Sequence, residues 1–215
     1  MTDRGFCNCF RHENMHRLRI LIPVFLLTPL FIICQQLQAQ PEFKAEGKLY
    51  KRVDDALMQP DSVQRLRLRR KRYKNIPPEI FSLKNLRELD LSGNRLNAIP
   101  AELYQLRHLE ILRLTRNKIK KIAPGLPALE KLRHIDLGMN PVAELPAETG
   151  KLKQLEYLQI WGTEITRLPE ELEGLKNLYW LDMRNILLTD DEKEDIYKLL
   201  PRTKIFFSEG CNCSK

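Results

Sequence analysis

Every 23 residues from Val63 the chain returns to the same arrangement of leucines, and no other feature restricts its fold so severely. The stretch Leu86–His108, LRELDLSGNRLNAIPAELYQLRH, starts again at Leu109, Leu132, Leu155 and Leu178. A period in the twenties is that of a solenoid, in which each unit can bury its apolar face only against its neighbours.

Taking the first residue of each unit as position 1, position 4 reads Leu66, Leu89, Leu112, Ile135, Leu158, Leu181. Position 6 reads Leu68, Leu91, Leu114, Leu137, Ile160, Met183. Apolar residues two apart with polar neighbours predict a short strand with one buried face. Position 9 is Asn94, Asn117 and Asn140, then Thr163. An amide at a bend can satisfy backbone groups that the bend leaves unpaired, so these three asparagines are expected to form a buried structural ladder. Ile-Pro or Leu-Pro follows at 76–77, 99–100, 145–146 and 168–169. Proline fixes φ and removes a donor, which suits an irregular return leg. Leu103 and Leu106, at positions 18 and 21, close the core from that side.

These positions together resemble the leucine-rich repeat family, in its typical class with the outer signature I-P-x-x-[IL]-x-x-L. The outer motif is also similar to that of Ras-pathway leucine-rich repeat scaffolds. The resemblance covers residues 63–188 as six repeats. It implies an α/β solenoid, a horseshoe with a parallel inner sheet and helical N- and C-terminal caps. The departures are Lys71 at an Asn position, Ala123 for Pro, Thr149 at an apolar position, and Ile186 with Asn185 one residue early. Residues 41–62 form the expected N-terminal cap, with Leu49, Val53, Ala56 and Leu57 at helical spacing over Gly47–Met58, similar to the cap of bacterial exported members. Residues 189–215 form the other cap. There Thr189 to Glu192 reads as a capping box, Ile196, Leu199 and Leu200 as a buried helix face, and Lys204–Phe207 as a final edge strand.

Residues 1–40 are of another kind. Arg17 and Arg19 precede an apolar run, Ile20–Cys34, and a polar Gln-rich tail ending near Ala39. Basic residues, about fifteen apolar residues and a small-residue site match a cleaved secretory signal. An uncleaved membrane anchor through residues 20–34 is the alternative, and Met15 an alternative start. Export makes the chain secreted, periplasmic or surface-exposed. Beyond this segment only Cys211 and Cys213 remain, too few thiols for a disulfide framework and, with no neighbouring His, a poor metal site.

Strand residues flanking the buried pair face away from the core. Position 3 reads Arg65, Glu88, Ile111, His134, Tyr157, Trp180, and position 5 reads Arg67, Asp90, Arg113, Asp136, Gln159, Asp182. Position 7 reads Arg69, Ser92, Thr115, Gly138, Trp161, Arg184. The Arg/Asp alternation is read as cross-strand pairing. His134, Tyr157, Trp161 and Trp180 are expected to project as a ligand-binding cluster near Met139 and Tyr179, with Asp182 and Arg184 at its rim, since Trp and Tyr are the usual hot-spot residues of interfaces. Arg65, Arg67, Arg69 and Arg70 form a candidate basic patch. His134 and Asp136 share a strand but lack a nucleophile at a convincing spacing, and no phosphate-cradling glycine loop or metal motif is present. No catalytic residue, cofactor or metal is expected.

The function expected is an exported, non-enzymatic scaffold that binds another protein through its concave face. A carbohydrate or envelope-surface module, with an anionic polysaccharide as ligand, is the first alternative. An intracellular or membrane-tethered signalling scaffold is the second, and nucleic acid is disfavoured. The net charge of +8 accords with anionic partners.

Overall fold

The computed structural model describes residues 44–208. The signal or anchor expected in residues 1–40 and the pair Cys211 and Cys213 lie outside the described residues. Eight parallel strands follow one another in chain order in a single sheet. They are β1 (Leu49–Tyr50), β2 (Arg65–Arg67), β3 (Glu88–Asp90), β4 (Ile111–Arg113), β5 (His134–Asp136), β6 (Tyr157–Gln159), β7 (Trp180–Asp182) and β8 (Lys204–Phe206). From β2 to β7 the pairing advances by the repeat, Arg65 opposite Glu88, Glu88 opposite Ile111 and so on to Tyr157 opposite Trp180.

Each strand from β2 to β7 is three residues long because only positions 3 to 5 run straight before the chain bends. The return legs are short 3-10 turns, Pro78–Ser82, Ala101–Gln105, Leu126–Ala128, Ala147–Lys151 and Glu170–Gly174, entered through the prolines expected there in four of the five. Positions 1, 4 and 6 on the strand side of all six units, and 18 and 21 on the return side of the first five, are buried, so one continuous core threads the array.

The asparagine ladder is formed as expected. Asn117 donates through Nδ2 to Leu114 O at 2.8 Å and to Leu91 O of the preceding unit at 3.1 Å, and its Oδ1 accepts from Leu96 N at 3.1 Å. Asn94 and Asn140 make the same set one unit to either side. Each amide therefore joins two successive units by backbone groups that would otherwise be stranded.

Two departures from the repeat have local explanations. In the third unit, where Ala123 replaces Pro, Tyr104 reaches across, its hydroxyl donating to Ala123 O at 3.0 Å. Its ring packs on Gly125, whose φ of 121° and missing side chain allow the approach. Thr149 is buried where an apolar residue is usual, beside Gly150. A Cβ on Gly150 would lie 2.6 Å from the carbonyl carbon of Glu171, so successive return legs close up there only because that residue is glycine.

The ends differ in how closely they follow the sequence reading. Helix α2 (Asp190–Leu199) has the full capping box: Glu192 N donates to Thr189 Oγ1 and Thr189 N to Glu192 Oε2. Lys204–Phe206 is the final strand expected. At the other end the helix expected over Gly47–Met58 is reduced to α1 (Val53–Leu57). Leu49 and Tyr50 instead pair with Arg65 and Leu66, because the open edge of the first repeat offers backbone partners that a helix there would leave unsatisfied. Among the described residues no helix is long and apolar enough to cross a membrane.

Candidate functional site

The strand face divides into two chemically different halves. Over β2 to β4 it is a closed ionic network. Glu88 is fully buried, and its carboxylate accepts from Arg65 Nε and Arg113 Nη1, each at 2.7 Å, with Arg67 Nη2 at 3.9 Å. It also accepts from Ala45 N at 3.3 Å, tying the entering chain to the sheet. Asp90, likewise buried, accepts from Arg69 Nε at 2.6 Å and lies 3.5 Å from Arg67 Nε. Adjacent strands are about 4.8 Å apart, so long charged side chains lie down across one another and exclude water. This corrects the reading of a basic patch: Arg65, Arg67 and Arg69 are consumed by Glu88 and Asp90, and of the four only Arg70 lies exposed without an ion pair among the described residues.

The aspartates of position 5 have a second use. Asp90 Oδ1 accepts from Ser92 N, Asp136 Oδ1 from Gly138 N and Asp182 Oδ1 from Arg184 N, at 3.1, 3.0 and 3.2 Å. In alternate units the carboxylate thus holds the backbone where it leaves the strand. Burial raises the pKa of Asp136, opposed by bonds from the Thr115 side chain and Gly138 N and by the charge of Arg113.

Over β5 to β7 the face is aromatic. His134 is buried, shares a 2.8 Å hydrogen bond with Gln159 through Nε2, and lies against Tyr157 with ring centroids 5.8 Å apart. Burial, assisted by the nearby Arg113 cation, lowers its pKa to about 4, so it is neutral at pH 7. Tyr157 is half-buried and meets Tyr179 edge-on at 6.2 Å. Tyr179 is 43% exposed and receives both a hydrogen bond and a cation–π contact from Lys204. Trp161 is half-buried, its indole laid on Gly138, and Met139 beside it is 45% exposed. Arg184 grips Asp182 by two bonds of 2.9 and 2.6 Å.

Trp180 does not belong to this open cluster. It is 9% exposed, because β8 pairs alongside β7 and Phe206 stacks on the indole at 3.9 Å with 27° between the planes. Its Nε1 is buried without a hydrogen-bond partner among the described residues. The expectation of a projecting Trp180 is therefore corrected: the final strand covers it. Nor is His134 an exposed contact, since Tyr157 and Gln159 enclose it. What remains accessible is Tyr157, Trp161, Tyr179 and Met139, with Arg184 at the edge. The sequence reading missed Gly138, and the available signal was a glycine at position 7 one unit before a tryptophan at position 7.

A family model described as leucine rich repeat matches residues 61–119. No curated protein matches the chain. Among solved structures, a leucine-rich repeat protein of Leptospira interrogans is similar, at 34% identity and a TM-score of 0.55, over 68% of this chain and 44% of that one. The chain thus spans less than half the length of that relative. Internalin C2 of Listeria monocytogenes shares the fold, at 23% identity and a TM-score of 0.58, over 68% of this chain and 62% of its own.

Proposed function

Since this chain belongs to the leucine-rich repeat family, we propose that it is a non-enzymatic scaffold, exported from the cell, which binds another protein through the C-terminal half of its concave face. Leucine-rich repeat arrays generally serve as protein-binding scaffolds, and the finer reading is supported by the division of the strand face. The charges of the first half are spent on one another inside the sheet. The second half presents large side chains, Tyr157, Trp161, Tyr179 and Met139, held from below and accessible from above. Removing such surfaces from water is what makes a few aromatic residues dominate an interface. Arg184, already oriented by Asp182, is prepared for a directional contact at the rim without losing further side-chain freedom.

The test places a photo-crosslinking residue at Tyr179 or, as control, at Glu102 on the return side, in the native host. Protein adducts specific to position 179 and abolished by Trp161→Ala support the reading. Adducts concentrated at 102 and insensitive to Trp161→Ala overturn it. Export is tested separately, by mass spectrometry of the native N-terminus: a mature chain starting near Gln40 is expected, and recovery of residues 15–40 would defeat cleavage.

A further inference from the structure

Beyond the strand face, the flank of the solenoid that follows each strand carries a second pattern. Position 8 of every unit has a left-handed backbone: Arg70, Gly93, Arg116, Met139, Gly162 and Asn185, with φ between 54° and 71°. Glycine or asparagine occupies this conformation with least strain, and three of the six units use them. Arg70 and Arg116 adopt it nonetheless, and so does Arg72, with φ of 62°. The conformation belongs to the repeat, since Arg70 N donates to Ser92 O at 3.1 Å and Arg116 N to Gly138 O at 2.9 Å, and it leaves both arginine side chains exposed and outside any ion pair among the described residues.

They belong to a larger array. At position 10 come Arg72, Arg95 and Lys118, and at position 12 Lys74 and Lys120, all exposed and none in an ion pair among the described residues. The flanking segments run side by side, Arg95 N donating to Tyr73 O at 2.8 Å and Lys118 N to Leu96 O at 2.9 Å. The position 10 row therefore advances by about 4.8 Å per unit, and alternate residues within a segment lie about 6.6 Å apart. Positions 8, 10 and 12 of the first three units contain no carboxylate. In the fourth unit the same positions are Met139, Pro141 and Ala143, so the array ends there.

We propose that this flank of the first three units binds a linear acidic polysaccharide, carrying sulfate or carboxylate groups at intervals that match the rows of cations. The composition of the flank favours this ligand over other polyanions. A membrane-docking surface combines cations with side chains that enter the bilayer, yet the exposed large apolar residues, Met58, Met139, Tyr179, Leu187 and Tyr197, all lie off this array. Single-stranded nucleic acid is held by aromatic side chains interleaved with the cations, and the aromatic of this segment, Tyr73, packs against the core. What remains is a rigid grid of charge suited to a regularly charged, flexible chain with little apolar surface. The surface is separate from the concave face, so either reading can fail alone.

The probe is heparin, compared with length-matched neutral dextran, a single-stranded oligonucleotide, and phosphatidylcholine vesicles with and without phosphatidylserine, using the full chain. Arg95→Glu combined with Lys118→Glu is expected to weaken heparin binding at least tenfold. Lys131→Glu with Lys151→Glu, the same charge change on other surfaces, should alter it less than twofold. Arg116→Gly, which relieves the left-handed backbone, should raise the melting temperature while lowering affinity for heparin. Equal losses in both charge-reversal pairs, tighter binding to the oligonucleotide or the vesicles than to heparin, or unchanged heparin binding by Arg116→Gly would each overturn the proposal.

Discussion

The pyrrole edge of the Trp161 indole occupies the space that a side chain on Gly138 would fill, with Cε2 2.6 Å and Cδ1 2.7 Å from where a Cβ would stand. A residue with no side chain in one unit is thus the seat for the largest side chain in the next. Gly138 has no positive φ, so alanine fits its backbone and acts only through that contact. Gly138→Ala should tilt the indole off the sheet, increase acrylamide quenching of Trp161, and cost about 1–3 kcal/mol of stability through overpacking. Unchanged quenching in a Trp180→Phe background, where Trp161 is the sole tryptophan, would contradict this seating.

The two tryptophans should separate by phenotype. Trp180→Ala removes a buried ring stacked on Phe206 and is expected to lower stability by about 3 kcal/mol or more in chemical denaturation. Trp161→Ala should cost less than half of that and act on binding instead. Trp180→Phe keeps a ring against Phe206 and eliminates an unpartnered N–H, so its midpoint should remain within about 1 kcal/mol of the parent. A Trp180→Ala variant as stable as the parent would show that β8 does not depend on this stack.

Glu88 is the most heavily used charge on the strand face. Glu88→Gln keeps its shape but takes the anion from Arg65, which is largely buried, and removes one of the partners of Arg113. Breaking a buried pair in this way costs about 3 kcal/mol or more. Because Glu88 also accepts from Ala45 N, hydrogen exchange at Ala45 should accelerate in the same variant. Loss of stability without faster exchange at Ala45 would separate the two roles.

His134 predicts a pH dependence of definite sign. Its folded pKa is lowered to about 4, below the ordinary value of 6.5. Between those values the unfolded chain binds a proton that the folded chain does not. Its contribution to stability is therefore fully present above pH 6.5 and is lost as pH falls toward 4, at up to about 1.4 kcal/mol per pH unit. His134→Gln should remove that slope from a series of urea melts across the interval. A variant with the parent's slope would place the titration elsewhere.

Where the sequence reading succeeded, it rested on residues whose surroundings repeat with them. Asn117 meets the same backbone groups as Asn94 and Asn140, so one spacing described all three. It failed where a side chain's environment comes from outside the repeat. Alternation along β7 correctly turned Trp180 away from the core, but its exposure depended on Phe206, beyond an intervening helix. Arg67 and Asp90 were read as cross-strand partners and stand 3.5 Å apart, but the position 5 row says nothing of Glu88, which takes Arg65 and Arg113, nor of the bond from Arg69 to Asp90. At the N-terminus, the helical spacing of Leu49 and Val53 competed with an unpaired sheet edge, and the edge prevailed.

The asparagine ladder stops before the array does. Thr163 stands in the fifth unit where the second to fourth have asparagine, and its hydroxyl donates to Ile160 O within its own unit, at 2.6 Å. Asn94, Asn117 and Asn140 each hold a carbonyl of the unit before, whereas a hydroxyl is too short to do so. In a molecule whose units touch only their neighbours, one weakened junction sets where cooperativity divides. The first four units are riveted into a block, and the last two follow without such an amide, held by strand pairing, apolar contact and side-chain links nearer the strand face such as His134–Gln159 and Arg133–Glu156. Under force or mild denaturant the fifth and sixth units would peel away first, and with them Trp161 and Tyr179. The cationic flank would stay with the riveted block, so the molecule can lose one recognition surface and keep the other.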